Sequence, residues 1–492
     1  MMENLNEKFY SIDKLFNPNS VAIIGASLNP ISAGYHYTRH LLDYGFPGKI
    51  FPVNPSLKEI FGLKVYPRLR DIPESNIDYV ICCIPAEKVL SLLEECHIKN
   101  VKLLHLFTAR MKETGREDRV KLEEEILEKA KSFGVRILGP NCMGLYNPKI
   151  GLSFNYDFPK EEGFVGGIFQ SGGASSEFVR YGALRGLRFT KVVSYGNALD
   201  IDESELLYYF AQDPKTKIIA FYVEGVKNGK KFMDALAYAA KRKPVVVLKG
   251  GRSRAGASSI LSHTASIAGS MDVWRAVFKQ CNVVEVKTLH ELVDQVVAFS
   301  FLPPITGKRV FIAGGGGGKS VLSADLWEEE GFELPDLPLQ VREKLKEIAP
   351  IVWDWLKNPI DASILQDSPM SPFEILRIAG EAGKADFYVA NITEDDPLPS
   401  DVWDLWVEGH VKDIIKLKRD GVPVVVVVGT GEVDEDEIKR WKWRSIGRFR
   451  RKLVEEGIPV FPTPDRAAKA LRRLIDYWKR KFRQSDVIKN QG

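Results

Sequence analysis

The residue best suited to nucleophilic chemistry in this sequence is a histidine set among small side chains. Ser262-His263-Thr264-Ala265-Ser266 follows Lys249-Gly-Gly-Arg252-Ser-Arg-Ala-Gly256 in a glycine- and serine-rich stretch that has little to pack with. A histidine in such surroundings is ordinarily just solvent-exposed, and this is one of seven in the chain. A mobile loop, however, lets an imidazole visit two sites, which group transfer through a covalent intermediate requires. Phe221-Tyr-Val-Glu224-Gly225 puts a carboxylate at the end of an apolar strand, where desolvation is costly without a partner. An imidazole would serve: a carboxylate on one ring nitrogen fixes the tautomer and leaves the other free to attack phosphorus. A salt bridge to Lys or Arg at a domain contact would satisfy Glu224 equally.

Four further segments could hold phosphate or a nucleotide-like ligand. Phe169-Gln-Ser171-Gly172-Gly173-Ala-Ser-Ser lies between a strand and a helix, so its glycines and Ser171 could cradle a phosphate, or Ser171 could simply cap the helix. Val21-Ala-Ile-Ile-Gly25-Ala26-Ser27 is a buried strand running into a small-residue turn that would admit a phosphate to the next helix N-terminus. It lacks the G-x-G-x-x-G spacing, and Phe51-Pro-Val-Asn54-Pro stands where an acidic residue would hold a ribose, which disfavours NAD. Leu138-Gly-Pro-Asn141-Cys142-Met-Gly144 ends a strand with an amide that both donates and accepts, although a domain-closing turn could look the same. Ala313-Gly-Gly-Gly-Gly-Gly318-Lys319-Ser320 fits a Walker A loop if Ala is tolerated first. A run of five glycines fits many patterns by chance, and no well-placed Asp follows a strand to help hold magnesium.

These segments need strands and helices to position them, and the chain supplies both in alternation. SVAIIGA, a helix near 34–44, KIFPVNP, DYVICCIP, a helix to Cys96, VKLLHLF, a charged helix over 118–133 and VRILGPN form a first set. GGIFQSGG, KVVSYGN, KIIAFYVEG, PVVVLKGG and NVVEVKT form a second, and RVFIAGG, FYVANI, PVVVVVGTG and IPVFPTP a third. Alternation of this kind predicts parallel sheets with helices on both faces, hence an α/β chain of three doubly wound modules in tandem. Proline-bearing breaks near Asn147 and 302–306 put the divisions at 1–146, 147–303 and 304–480, with a polar tail over 481–492. In such sheets ligands gather at the C-terminal ends of strands, where the motifs fall.

Bulk properties narrow the function classes. No apolar run approaches the roughly 20 residues of a membrane span, and the N-terminus lacks the basic and apolar regions of a secretory signal, so a cytoplasmic protein with no membrane role is expected. The five cysteines form no disulfide framework and have no zinc-site spacing; no metal site is expected. Residues 439–452 hold eight basic residues and no acidic one, which could suit RNA, but an amphipathic surface helix is the plainer reading, and no nucleic-acid partner is expected.

In this order, VAIIGAS, GKIFPVNP with GLKVYP, IPAEKV, RILGPNCMG, QSGG, VSYGNALDID, KIIAFYVEGVKNGKKF, KPVVVLKGGRSRAGA, SHTASIAGS, NPID and GIPVFPTPDRAAKAL resemble the α subunit of ADP-forming acetate–CoA ligases. These NDP-forming acyl-CoA synthetases are relatives of succinyl-CoA synthetase. The resemblance runs from about Lys14 to Tyr477 and implies a Rossmann-like CoA-binding domain followed by two flavodoxin-like domains. It also implies a three-step exchange: acyl-CoA and phosphate give an acyl phosphate, which phosphorylates a histidine, which passes its phosphoryl group to ADP. Carried onto this chain, His263 is the carrier and Glu224 its support; Ser171, Gly172 and Gly173 hold phosphate; Gly25, Ala26, Ser27, Asn54, Pro85 and Asn141 hold coenzyme A; Gly196 and Asn197 face the acyl group. ADP or ATP with magnesium would sit on a separate ATP-grasp β subunit, in an α2β2 or similar assembly, because no ATP-grasp region is present here.

The chain departs from the family pattern at several points. Ala265 replaces the glycine of S-H-T-G, F-Q-S-G-G-A replaces S-Q-S-G-A-L, Ala198 replaces the lysine of G-N-K, and Arg110-Met111 replaces Gly-Phe before K-E-T-G. Retained chemistry with altered acyl specificity is one expectation. A CoA- or acyl-CoA-binding regulatory protein of the same fold is another, and a P-loop NTPase using Lys319 a third.

Overall fold

The computed structural model describes residues 2–256, 270–365, 370–382, 385–392, 398–429 and 437–489. The chain divides into two compact units, Met1–Leu292 and Val293–Gly492.

The first unit opens with α1 (Met2–Leu15), then β1 (Ser20–Ile24), α2 (Ala33–Tyr44), β2 (Lys49–Val53), a small hairpin of β3 (Glu59–Ile60) and β4 (Leu63–Lys64), β5 (Tyr79–Cys82), α3 (Val89–Ile98), β6 (Leu103–Leu106), α4 (Glu117–Phe133) and β7 (Arg136–Leu138). It continues with β8 (Gly144–Tyr146), β9 (Glu162–Phe169), α5 (Gly172–Leu184), β10 (Phe189–Ser194), α6 (Glu203–Gln212), β11 (Ile218–Val223), α7 (Gly229–Arg242), β12 (Val245–Lys249), α8 (Met271–Gln280) and β13 (Val284–Val286); α9 (Leu289–Phe301) crosses the division.

Strands such as SVAII and VVVLK are buried at every position, because a parallel sheet covered on both faces needs apolar side chains on both. One sheet runs β2-β1-β5-β6-β7, all parallel. The other runs β13-β12-β11-β9-β10-β8, parallel except for β8, which pairs antiparallel with β10. The order therefore reverses between β1 and β5 and again between β9 and β11. At such points adjacent strand ends splay apart and leave a crevice for a ligand. Helices cover the faces through apolar stripes; α4 turns Ile126 and Ala130, four residues apart, onto the first sheet.

The second unit contains β14 (Val310–Ala313), α10 (Gly317–Glu329), α11 (Leu339–Ile348), α12 (Pro372–Glu381), β15 (Phe387–Ile392), α13 (Ser400–Arg419), β16 (Val424–Val428), α14 (Glu437–Glu455), β17 (Val460–Phe461) and α15 (Pro464–Lys489). Its sheet runs β14-β15-β16-β17, all parallel. Single bridges from Arg309 to Glu333 and from Ala313 to Ile360 take the other edge of β14, so here too the chain leaves the first strand in both directions. The basic stretch forms α14, with Ile446, Phe449 and Leu453 buried in the core and Arg448 paired with Asp404 at 2.8 Å, an amphipathic surface helix. Among the described residues no helix is long and apolar enough to cross a membrane.

Candidate active site

A cavity of about 810 Å³ in the first unit gathers the loops that follow β5, β6, β7, β9, β10 and β11. From the sequence candidates it brings together Pro85, Asn141, Ser171, Gly172, Gly173, Asn197 and Glu224. Gly25, Ala26, Ser27, Asn54 and Gly196 are not part of its lining. His263 and Ala265 lie outside the described residues.

The turn after β1 is built for close backbone approach. Gly25 has φ +89°, and the N–H groups of Gly25 and Ala26 both donate to the Val53 carbonyl, at 3.0 and 3.2 Å. On α2, a side chain at Gly34 would put its Cβ 1.9 Å from the Gly25 carbonyl oxygen, so this helix rests directly on the turn. Asn54 uses its amide locally: Nδ2 donates to the Ala26 carbonyl at 2.8 Å, and Oδ1 accepts from Ser56 N–H at 2.8 Å. A Cβ on Gly25 would meet the Cys83 carbonyl oxygen and Ile84 Cγ2 at 3.1 Å, and both residues line the cavity, so the turn backs the cavity wall.

The loop after β7 is locked to the second sheet. Asn141, at φ +58°, donates its N–H to Thr108 O at 2.9 Å, and Met143 N–H donates to Ser194 Oγ at 3.1 Å. Beneath it, buried His105 bonds the Cys142 carbonyl through Nε2 at 3.0 Å. Gly196, at φ +58°, lets the loop after β10 cross close to this turn, with Asn197 N–H donating to Pro140 O at 3.0 Å. Asn197 donates through Nδ2 to Glu113 Oε2 at 2.9 Å, while its buried Oδ1 has no partner among the described residues. A buried amide oxygen without a partner costs about 1–3 kcal/mol. The left-handed conformation persists at Ala198, φ +53°, and also occurs at Arg110, φ +69°, where the family pattern has glycine. Arg110 lines the cavity with Arg119, itself paired with Glu87 at 2.5 Å.

Ser171 caps α5, its Oγ accepting from Ala174 N–H at 3.3 Å. The capping role and the phosphate role are compatible. Among the described residues nothing takes the N–H groups of Gly172 and Gly173, and both residues line the cavity. A helix N-terminus with free amides is an anion site.

Glu224 stands one residue beyond β11, beside that helix start. Its N–H and that of Gly225 donate to Gln170 Oε1 at 2.7 and 3.2 Å; its carbonyl accepts from Lys249 Nζ at 2.6 Å. Its carboxylate accepts the Tyr222 hydroxyl at 3.0 Å, and no ion pair to it is found among the described residues. The salt bridge that the sequence left open is therefore absent from the described residues. Lys249 is fully buried, with its Nζ 5.1 Å over the Trp274 ring. Burial pushes its pKa down to about 8, the Glu224 charge opposing the shift.

Gln170, Tyr222 and Lys249 were missed as site residues. The signal existed: Tyr222 sits two residues before Glu224 on one strand, hence on its face, and Lys249 ends an otherwise apolar strand.

The glycine run in the second unit serves a turn. Gly314 N–H donates to Ile360 O and Gly315 O accepts from Ala362 N–H, both at 3.0 Å, and a Cβ on Gly314 would lie 2.0 Å from Asn391 O. The Asp361 carboxylate sits against the start of α10, 3.1 Å from where a Gly317 Cβ would be. A carboxylate beside a helix start repels a second anion, which counts against the P-loop reading.

Comparison with known proteins identifies the family. Residues 19–148 match a family described as a CoA binding domain, and residues 162–299 one described as a succinyl-CoA ligase like flavodoxin domain. The α subunit of the ADP-forming acetate–CoA ligase I of Pyrococcus furiosus is 35% identical over 484 residues, covering 96% of this chain and 100% of that one. An ADP-forming acetate–CoA ligase of Methanocaldococcus jannaschii is 39% identical over 354 residues; this match covers 72% of the chain and 49% of the relative. The solved dinucleotide-forming acetyl-coenzyme A synthetase 1 of Candidatus Korarchaeum cryptofilum, in complex with phosphate and ADP, superimposes with TM-score 0.78 at 30% identity, over 98% of this chain and 99% of that one. At 35% identity over the whole length of that α subunit, the chain belongs to the α subunits of the ADP-forming acetate–CoA ligases.

Proposed function

We propose that the chain interconverts an acyl-CoA, phosphate and ADP with the free acid, CoA and ATP, working as an α subunit through an acyl phosphate and a phosphohistidine at His263. The observation that carries this is one cavity holding the free amides of the α5 N-terminus and the Glu224 carboxylate. Phosphate at Gly172 and Gly173 would meet the thioester carbonyl there, with Asn141, Pro85 and the turn Gly25–Ser27 holding CoA and Asn197 beside the acyl group. Glu224 would then hold one nitrogen of His263 while the other takes the phosphoryl group. The three sheets support a matching division of labour among three modules.

The ADP site is assigned to a separate ATP-grasp β subunit acting with magnesium. A relative named as an α subunit is matched over its whole length, whereas one named as the ligase itself is matched over about half, which supports that assignment. ADP and CoA are cytoplasmic substrates, so the enzyme is placed there.

The test is to incubate the chain with its β subunit and γ-labelled ATP and to look for acid-labile, base-stable label. Label is expected on wild type and lost in His263→Ala; its absence from wild type, or survival in His263→Ala, sinks the reading. Glu224→Gln should slow labelling by roughly 10² to 10⁴, the range for a positioned acid–base or orienting group.

A further inference from the structure

We propose that Tyr222 is the positioning residue of Glu224, its hydroxyl tying one carboxylate oxygen so that the other is presented to the imidazole. This deepens the proposed function and rests on Glu224 serving His263. Tyr222 and Glu224 are two residues apart on an extended chain, so both side chains leave the same face of the sheet. The hydroxyl donates to Oε1 at 3.0 Å.

The surroundings leave the pair little freedom. A Cβ on Gly250 would lie 2.6 Å from the Tyr222 hydroxyl, 3.1 Å from Cζ and 3.3 Å from Glu224 Cγ, so the glycine after β12 makes room for the contact. The Tyr222 ring lies parallel to that of Phe169, at 6.5 Å and 14°. The backbone of Glu224 is gripped on both sides, by Gln170 at its N–H and by Lys249 at its carbonyl. With the main chain fixed and one oxygen bonded, the carboxylate has less freedom to turn. Burial first, and the Glu224 charge second, push the Tyr222 phenol above its usual range, so it stays a donor throughout neutral pH. Among the described residues, Lys249 from β12 and Tyr195, just beyond β10, are other ionisable groups that act on the pair.

A hydrogen bond to a carboxylate holds its orientation, so removing the donor slows the step that needs the oriented oxygen without weakening nucleotide binding. A purely structural tyrosine would lower stability and leave the labelling rate constant of the folded enzyme where it is. The experiment measures the rate constant of histidine labelling and the KM for ATP in the α–β complex with γ-labelled ATP for wild type, Tyr222→Phe, Gly250→Ala and Glu224→Gln. Tyr222→Phe should still be labelled on histidine, with the rate constant about tenfold lower and KM unchanged, the size expected for a bond to a charged group. Gly250→Ala keeps the phenol but wedges the pair apart, so it should lower the rate constant the same way if Tyr222→Phe folds poorly. Wild-type rate constants for both variants alongside a Glu224→Gln enzyme that has lost its label would overturn the role of Tyr222 alone. Normal labelling of Glu224→Gln would overturn the role of Glu224, and that of Tyr222 with it.

Discussion

Replacing Gly196 by alanine should destabilise the first unit and weaken acyl-CoA use together, because one glycine lets two loops cross at the cavity wall. Gly196 has φ +58°, and a Cβ there would stand 2.2 Å from Pro140 O, 2.6 Å from Asn141 O and 2.9 Å from Asn141 C. The conformation costs alanine about 1–2 kcal/mol. All three clashing atoms are backbone and cannot rotate away, so relief requires a shift of the kind that costs about 1–3 kcal/mol in overpacked cores. That shift would stretch the 3.0 Å bond from Asn197 N–H to Pro140 O, worth about 1 kcal/mol. The sum is about 3–6 kcal/mol, a fall in melting temperature on the order of 10 °C.

Gly45→Ala separates the two costs. Its φ is +73°, but nothing lies within 4 Å of the added Cβ, so it should lose only the conformational part. Differential scanning calorimetry of both variants, with KM for acyl-CoA in the α–β complex, makes the comparison. Gly196→Ala should melt several degrees below Gly45→Ala and raise KM at least tenfold while Gly45→Ala leaves it alone. Equal melting temperatures would refute the clash, and an unchanged KM would remove the Asn197 loop from the substrate site.

Two further outcomes concern the folds themselves. His40, His105 and His410 are buried, and burial pushes each down to about 4. All three are neutral in the fold and would be protonated when unfolded below pH 6.5. The stability each contributes is therefore complete above pH 6.5 and lost as pH falls to 4, at most roughly 3 kcal/mol per group. Glu203, raised to about 7 by burial and then by Asp202, acts the opposite way and offsets about one histidine as pH falls from 7 to 4.5. Thermal unfolding at pH 7, 5.5 and 4 should show falling stability; a flat profile would contradict the burial of these rings. In the second unit, Asp294 is 3% exposed and receives Arg466 at 2.6 and 3.0 Å. Arg466→Met should cost about 3–5 kcal/mol by taking the paired cation from that buried charge, and Asp294→Asn added to it should recover part of the loss. A single variant as stable as wild type would show the pair to be dispensable.

The sequence by itself determined the sheets and the places where chemistry would sit. Short β-branched runs such as SVAII and VVVLK suit buried strands, and their alternation with capped helices makes parallel, doubly wound sheets the consistent arrangement. Ser171 could be read as a cap and Gly172–Gly173 as free amides, since helix ends follow from local residue types. Hidden from that reading were contacts between segments far apart in the chain. The edge strand β8 is too short to carry a periodic signal, and only its pairing with β10 reveals it. The sequence proposed an imidazole or a cation for the Glu224 carboxylate; the structure gives its carboxylate Tyr222 and its main chain Gln170 and Lys249, from three adjacent strands. Gln170 is 54 residues away, so the bond follows from strand order rather than spacing. For the same reason the glycine run at 314–318 resembled a nucleotide loop in sequence but is explained by the close approach of Ile360, Asp361 and Asn391. Local propensity fixes which residues start a helix or end a strand, but the partner a polar group meets there depends on which distant strand lies alongside.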